Sequence, residues 1–198
     1  MPRAAALPAA ERRARAIQAL LELACHCAPE QISTAAVAER MGISHAALFR
    51  HFPSRDALWA ESVRWATGQL ESELDAIAAV ESSPSLQRVR GLLRALVLFF
   101  AGYPGLLRML LAELPRPGSH PASEEAKAFA ARLRATLIRL LEQAEREGTL
   151  HSPLAPSSLA PLLLATCEGM MLQGLVHDTL AELPQGLEGA LQLLLPQA

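Results

Sequence analysis

Apolar positions recur at helical spacing along almost the whole chain. Ile17, Leu20, Leu21 and Ala24 stand at i, i+3, i+4 and i+7 and predict an amphipathic helix over 10–27, ended by Pro29. Ser33 is placed to cap a second helix, Thr34 to Met41, with Ile32 and Val37 as its hydrophobic staple and Gly42 as its left-handed stop. The pattern then repeats. Ser44 caps a third helix, with Ile43 and Leu48 as staple, which runs to about His51 before Phe52-Pro53. Two short helices joined by a turn of about three residues containing Gly make a helix-turn-helix. Ala38, Met41, Ile43, Leu48 and Phe52 are the residues expected to lock the pair.

A second zone follows. Ser54-Arg55-Asp56 opens a long fourth helix to about Val80, a continuous rod between the two halves, and Ser82 to Ser85 breaks it. Leu86, Val89, Leu92, Leu93 and Leu96 predict a fifth helix, ended by Gly102-Tyr103-Pro104, and a sixth covers Leu106 to Leu114. After the loop Pro115 to Pro121, Ser123 is expected to cap a seventh helix closed by Gly148, with Glu124 and Glu125 favourably placed in its first turn. An eighth helix over 158–177 carries Pro161 in its first turn, and a ninth over 185–195 repeats Leu187, Ala190, Leu191 and Leu194. The expected fold is all-α, about nine helices, with a helix-turn-helix part at 1–54 and a second helical part at 55–198, to which the family resemblance described below assigns effector binding and dimerisation.

Composition agrees. Hydrophobic residues make up 51% and aromatics 4% of the 198 residues, so the core is built from Leu and Ala, which favour helix. The net charge is −2, but residues 1–64 hold eight Arg against six Asp/Glu while the remainder is acidic, a mildly basic front. Cys25, Cys27 and Cys167 make no disulfide framework and fit a reducing cytoplasm. Met1 to Ala10 lacks the apolar core of a secretion signal. Leu92 to Ala112 and Leu159 to Val176 are apolar enough to raise the question of a membrane. Arg94, Pro104 and Arg108 interrupt the first, and Pro161, Glu168 and Gln173 the second, so both read as buried helices.

The segment from Ile32 to Leu58, Ile-Ser-Thr-Ala-Ala-Val-Ala-Glu-Arg-Met-Gly-Ile-Ser-His-Ala-Ala-Leu-Phe-Arg-His-Phe-Pro-Ser-Arg-Asp-Ala-Leu, resembles the DNA-binding signature of the TetR/AcrR family. That signature is an Ile/Val-Ala pair, a Gly-Val-Ser turn, Leu-Tyr-x-His/Tyr-Phe, then Ser-Lys-Glu-x-Leu. The segment is also similar to the nucleoid-occlusion subgroup, which links DNA binding to cell division. Three positions depart from the pattern. Phe49 replaces the usual Tyr and loses a phenolic phosphate contact, Arg55 replaces Lys and keeps the charge, and Cys25 to Glu30 occupies the place of a Gly after the first helix.

A major groove admits one helix, whose first residues reach base edges while neighbours hold phosphates. His45, Ala46 and Ala47 are the expected base-edge residues. Arg50 can reach a guanine or a phosphate, and Ser33, Thr34, Ser44, His51 and Arg55 are expected at phosphates. Leu48 and Phe52 only pack. Cys25-His26-Cys27 lacks zinc spacing, so no metal is expected. No nucleophile–base pair or phosphate-binding Gly loop is present, so no enzyme and no cofactor are expected either.

The eighth helix is apolar nearly all round, which implies burial on two sides. With the ninth helix it would form a four-helix bundle across a two-fold axis in a homodimer. The family resemblance further implies a ligand cavity among the fifth to eighth helices. Its apolar lining would come from Leu96, Phe99, Phe100, Tyr103, Met109, Phe129, Leu133, Cys167, Met170 and Met171, with Tyr103 and Glu168 orienting the ligand. Two readings stand open: a repressor released from a palindromic operator by a small hydrophobic effector, and a DNA-bound scaffold that recruits a protein partner.

Overall fold

The computed structural model describes residues 8–195. Residues 1–7 and 196–198, which include most of the stretch read above for a secretion signal, lie outside them. Among the described residues nine α-helices follow one another: α1 Ala9–Ala24, α2 Thr34–Arg40, α3 His45–Phe49, α4 Arg55–Ala78, α5 Ser85–Gly102, α6 Pro104–Glu113, α7 Pro121–Arg146, α8 Pro156–His177 and α9 Leu183–Leu194. Two 3₁₀ turns that the periodicity does not announce, Pro29–Gln31 and Leu180–Glu182, precede α2 and α9. Among the described residues there is no strand.

By contact these residues form two units. The first joins the chain up to Ala66 with Gly105–Ala126, and the second joins Thr67–Pro104 with the chain from Lys127. Their borders fall inside α4, at the first residue of α6 and inside α7, whereas the sequence suggested a single division after residue 54. A rod-like helix carries side chains for two cores in succession, and no linker marks where one stops.

In the first unit, α1, α2 and α3 surround Leu20, Val37 and Leu48, each 1% exposed. α6 crosses α1 without space for a side chain at Gly105, where a Cβ would lie 2.2 Å from the Leu21 carbonyl oxygen. Ser123 does not cap α7, which starts two residues earlier at Pro121. Its hydroxyl is buried and donates to the Glu113 carbonyl at 2.9 Å, satisfying an end of α6 instead.

In the second unit, α5 packs on α8 and α9. Val89, Leu92 and Leu93 of α5, Leu163, Cys167 and Met171 of α8, and Leu187 and Leu191 of α9 are all essentially buried. Arg90 donates to the Leu191 and Leu195 carbonyls and so closes the C-terminus of α9. Pro161 lies inside α8, two residues further in than expected, because the helix begins at Pro156. α8 is long and apolar enough to cross a membrane, with a mean hydropathy of 1.5 and a third of that window buried.

The α4–α5 junction carries a charged network. Buried Arg88 donates to the Ala78 carbonyl at 2.9 Å and to Ser85 Oγ at 2.8 Å. The Ser85 amide and hydroxyl donate in turn to the Glu147 carboxylate at 2.9 and 2.7 Å. These two bonds hold the Glu147 carboxyl below the usual carboxylate range. A depressed folded value contributes stability that is present above the unfolded pKa and lost as pH falls through the folded one. Glu147→Gln should therefore lower the melting temperature at neutral pH, and the gap to wild type should close on acidification. Melting curves in a pH series check this. A gap that stays constant into acid would contradict it.

Candidate nucleic-acid interface

The helix-turn-helix is assembled from local rules. Ser33 Oγ accepts from the Ala36 amide at 3.1 Å, and Ser44 Oγ accepts from the Ala47 amide at 3.2 Å, so both serines cap as expected. Gly42 has φ +66°, its amide donates to Glu39 O at 2.9 Å, and the Ile43 amide donates to Ala38 O at 3.0 Å. That pair of bonds is a Schellman ending, and it redirects the chain from α2 into α3. Ala38, Leu48 and Phe52 are buried between the two helices, while Met41 and Ile43 are half-buried.

This packing turns one face outward. Ser33, Ser44, His45, Ala46, Phe49 and Arg50 are exposed, and Thr34, Ala47 and His51 are half-buried. His45 is already engaged. Its Nε2 lies 2.8 Å from Thr34 Oγ1, and its ring meets Phe49 edge-on at 4.5 Å. The N-termini of α2 and α3 are thereby tied together, and Nδ1 is the ring nitrogen left to a base edge. An ion pair from Arg40 to Glu22, 2.7 Å, joins α2 to α1.

Arg55 has a different setting from the one its sequence position suggested. It donates from Nε to the Ile32 carbonyl at 3.0 Å and from Nη2 to the Pro29 carbonyl at 2.6 Å. Its guanidinium lies over the Trp59 ring, 4.4 Å from the centroid. It clamps the turn before α2 onto α4. Nothing in the local sequence reveals this, because the two carbonyls lie 23 and 26 residues upstream of it.

The residues expected around one effector cavity are spread over different surroundings. Phe129 and Leu133 line a groove between α4 and α7 of about 100 Å³, with Leu74, Thr136, Glu71 and Arg132, the last two ion-paired. Leu96, Phe100, Cys167 and Met171 are packed into the core of the second unit, and burial pushes the Cys167 thiol up to about 12. Met109 is fully buried in the first unit. Phe99 meets Phe100 edge-on at 5.5 Å and Tyr103 at a tilt at 5.0 Å. Met170 is half-buried. Tyr103 and Glu168 are exposed, and partial desolvation raises the Glu168 carboxyl above its usual range. Among the described residues no cluster of His, Cys, Asp or Glu could hold a metal ion.

The family model described as bacterial regulatory proteins, tetR family, matches residues 17–61, from α1 into α4. The nucleoid occlusion factor SlmA of Shewanella halifaxensis (strain HAW-EB4) is 30% identical over 170 residues, 85% of each chain. The chain belongs to the TetR family of bacterial regulatory proteins. Solved structures agree in fold. The MbdR regulator from Azoarcus sp. CIB superimposes with a TM-score of 0.80 at 18% identity, covering 96% of this chain and 99% of that one. FadR from Bacillus subtilis, solved with stearoyl-CoA, gives 0.74 at 15% identity over 92% and 97%. This TetR-family protein is thus a DNA-binding regulator and not an enzyme. Regulators of this family bind operator DNA and act as dimers.

Proposed function

We propose that this TetR-family regulator represses transcription in the cytoplasm by holding a palindromic operator as a homodimer, with α3 in the major groove of each half-site. The observation that supports it most is the outward face of α2 and α3, where two capped N-termini and Arg50 stand clear of the packing. Ala46 and Ala47 meet base edges, His45 presents Nδ1, and Ser33, Thr34, Ser44 and His51 lie toward phosphates. Arg55 contributes by holding the turn before α2 in place and not by neutralising a phosphate. Arg55→Ala should therefore weaken operator binding while leaving the salt dependence almost unchanged, whereas loss of a phosphate contact lowers the salt slope by about one. Arg50→Ala should lower affinity and change the slope or the base preference. Binding measured at several salt concentrations checks both. A slope reduced by Arg55→Ala would return that residue to the phosphate set.

The dimer is proposed through α8 and α9, but not through the stripe that the sequence singled out. Leu187 and Leu191 are spent on the protomer's own core, at 0% and 1% exposure. The open face is the opposite one. It carries Leu162, Ala165, Gly169, Leu172 and Val176 on α8 and Leu193 on α9.

Release by a small, mostly hydrophobic effector needs more space than the α4–α7 groove, since ligand pockets commonly span about 300–1,000 Å³. Such an effector would have to part the packing around Phe100, Cys167 and Met171. A second reading is a DNA-bound scaffold that recruits a protein partner, favoured by the likeness to a nucleoid occlusion factor over 85% of the chain. Mapping the bound sites across the genome separates the two. A repressor occupies a few promoters, and a scaffold occupies many dispersed sites.

A further inference from the structure

Beside the helix-turn-helix, the first unit holds a cleft of about 440 Å³. Pro29, Arg55 and Trp59 line it together with Ala112, Pro115 and Arg116. Its volume falls within the range of small-molecule sites. Two observations say what an occupant must bring. Trp59 is 3% exposed, and its indole N–H has no acceptor among the described residues. Buried donors are almost always satisfied, so an orphan in the wall of a cleft calls for an acceptor. Arg55, stacked on the same ring, has only backbone carbonyls as partners and no carboxylate within ion-pair distance among the described residues. The buried Glu113 carboxylate is matched by Arg116 at 3.1 Å. Glu30 stands at the exposed rim, where water and salt screen it. The cleft therefore holds one unneutralised guanidinium and one orphan donor, between walls made of proline rings, an indole and Ala112. An acceptor with negative charge on a flat apolar body fits these walls.

We propose that this cleft binds a small flat carboxylate, of which an aromatic acid is the simplest form. The carboxylate accepts from the Trp59 indole and faces the Arg55 guanidinium, and the ring lies against Pro29 and Pro115. Arg55 also holds the turn that leads into α2, so an occupant fastens the helix-turn-helix to the end of α6. The site is separate from any effector cavity in the second unit and does not depend on DNA.

Benzoate is the probe, titrated into the uniformly ¹⁵N-labelled full chain. The two indole N–H signals, of Trp59 and Trp65, are assigned with Trp59→Phe, or with Trp65→Phe if that variant does not fold. The Trp59 signal should move downfield and saturate while the Trp65 signal stays. Ala112→Phe, which fills the cleft, should weaken benzoate by about tenfold or more. Benzylammonium, with the same ring and the opposite charge, should produce no saturable shift. A Trp59 signal that does not move, or that drifts linearly with Trp65, overturns the proposal. Undiminished binding to Ala112→Phe, or equal binding of benzylammonium, does so as well.

Discussion

Replacing Val176 and Leu193 together by arginine should leave a folded protein that no longer dimerises. Both residues lie on the open face of α8 and α9, 64% and 85% exposed in the single chain. That exposure is the reason to expect the fold to survive, since neither side chain carries the protomer's own core. The stripe on α8 from Leu162 to Val176 runs through Ala165 and Gly169, and a Cβ at Gly169 would meet nothing within 4 Å. Small residues between larger apolar ones allow a second pair of helices to approach closely. Burying a polar group without a partner costs roughly 2–7 kcal/mol. A two-fold axis repeats each substitution on the partner, so the dissociation constant should rise by at least about 100-fold. Sedimentation at micromolar concentration reads the oligomeric state, and far-UV circular dichroism reads the fold. A double variant that remains dimeric would move the interface elsewhere. Leu191→Arg is the contrasting case. It should unfold the second unit, because Leu191 is 1% exposed beneath α5.

The second large effect is expected from one methyl group. Gly105→Ala places a Cβ 2.2 Å from the Leu21 carbonyl oxygen and 3.0 Å from the Cys25 amide nitrogen. Both are backbone atoms, one in α1 and one in the residue that ends it, so no side chain can rotate away, and either α6 or α1 has to move. Overpacking of side chains alone typically costs about 1–3 kcal/mol, and a clash with backbone should reach the upper end of that range or exceed it. The packing of α1 supports Val37 and Leu48, so the damage should extend to the DNA-reading face. Denaturant unfolding should show the loss of stability, with a parallel loss of operator affinity. Gly102→Ala is the control, since a Cβ there meets nothing within 4 Å. Equal stability of the two variants would show that α6 can be displaced at no cost.

The helix-turn-helix could be read from the sequence because each of its rules acts over four residues or so. Ser33 and Ser44 cap, Gly42 takes the left-handed conformation, and Leu48 falls on the inner face, all from local spacing. The same locality supplied the nine helices and most of their ends. It failed at Ser123, where a good capping residue is drawn into a contact with Glu113 ten residues away. Composition could also say that α8 is apolar on two sides, but not which side meets which partner.

What the tertiary structure decided are matters of long separation. Arg55 is expected at a phosphate from its position, and the structure engages its guanidinium with two distant carbonyls and Trp59. His45 and Thr34, eleven residues apart, are joined before any base is met. Leu187 and Leu191 carry the same periodic signal whether they face a partner or the home core, and only the position of α5 resolves it. The supposed cavity residues are a further instance, since apolar side chains make a wall or a packed core according to backbone distances that no local pattern encodes. Periodicity and capping thus determined the elements of this protein, because those energies are local. The use made of each face was left to packing, whose contacts join residues that the sequence keeps far apart.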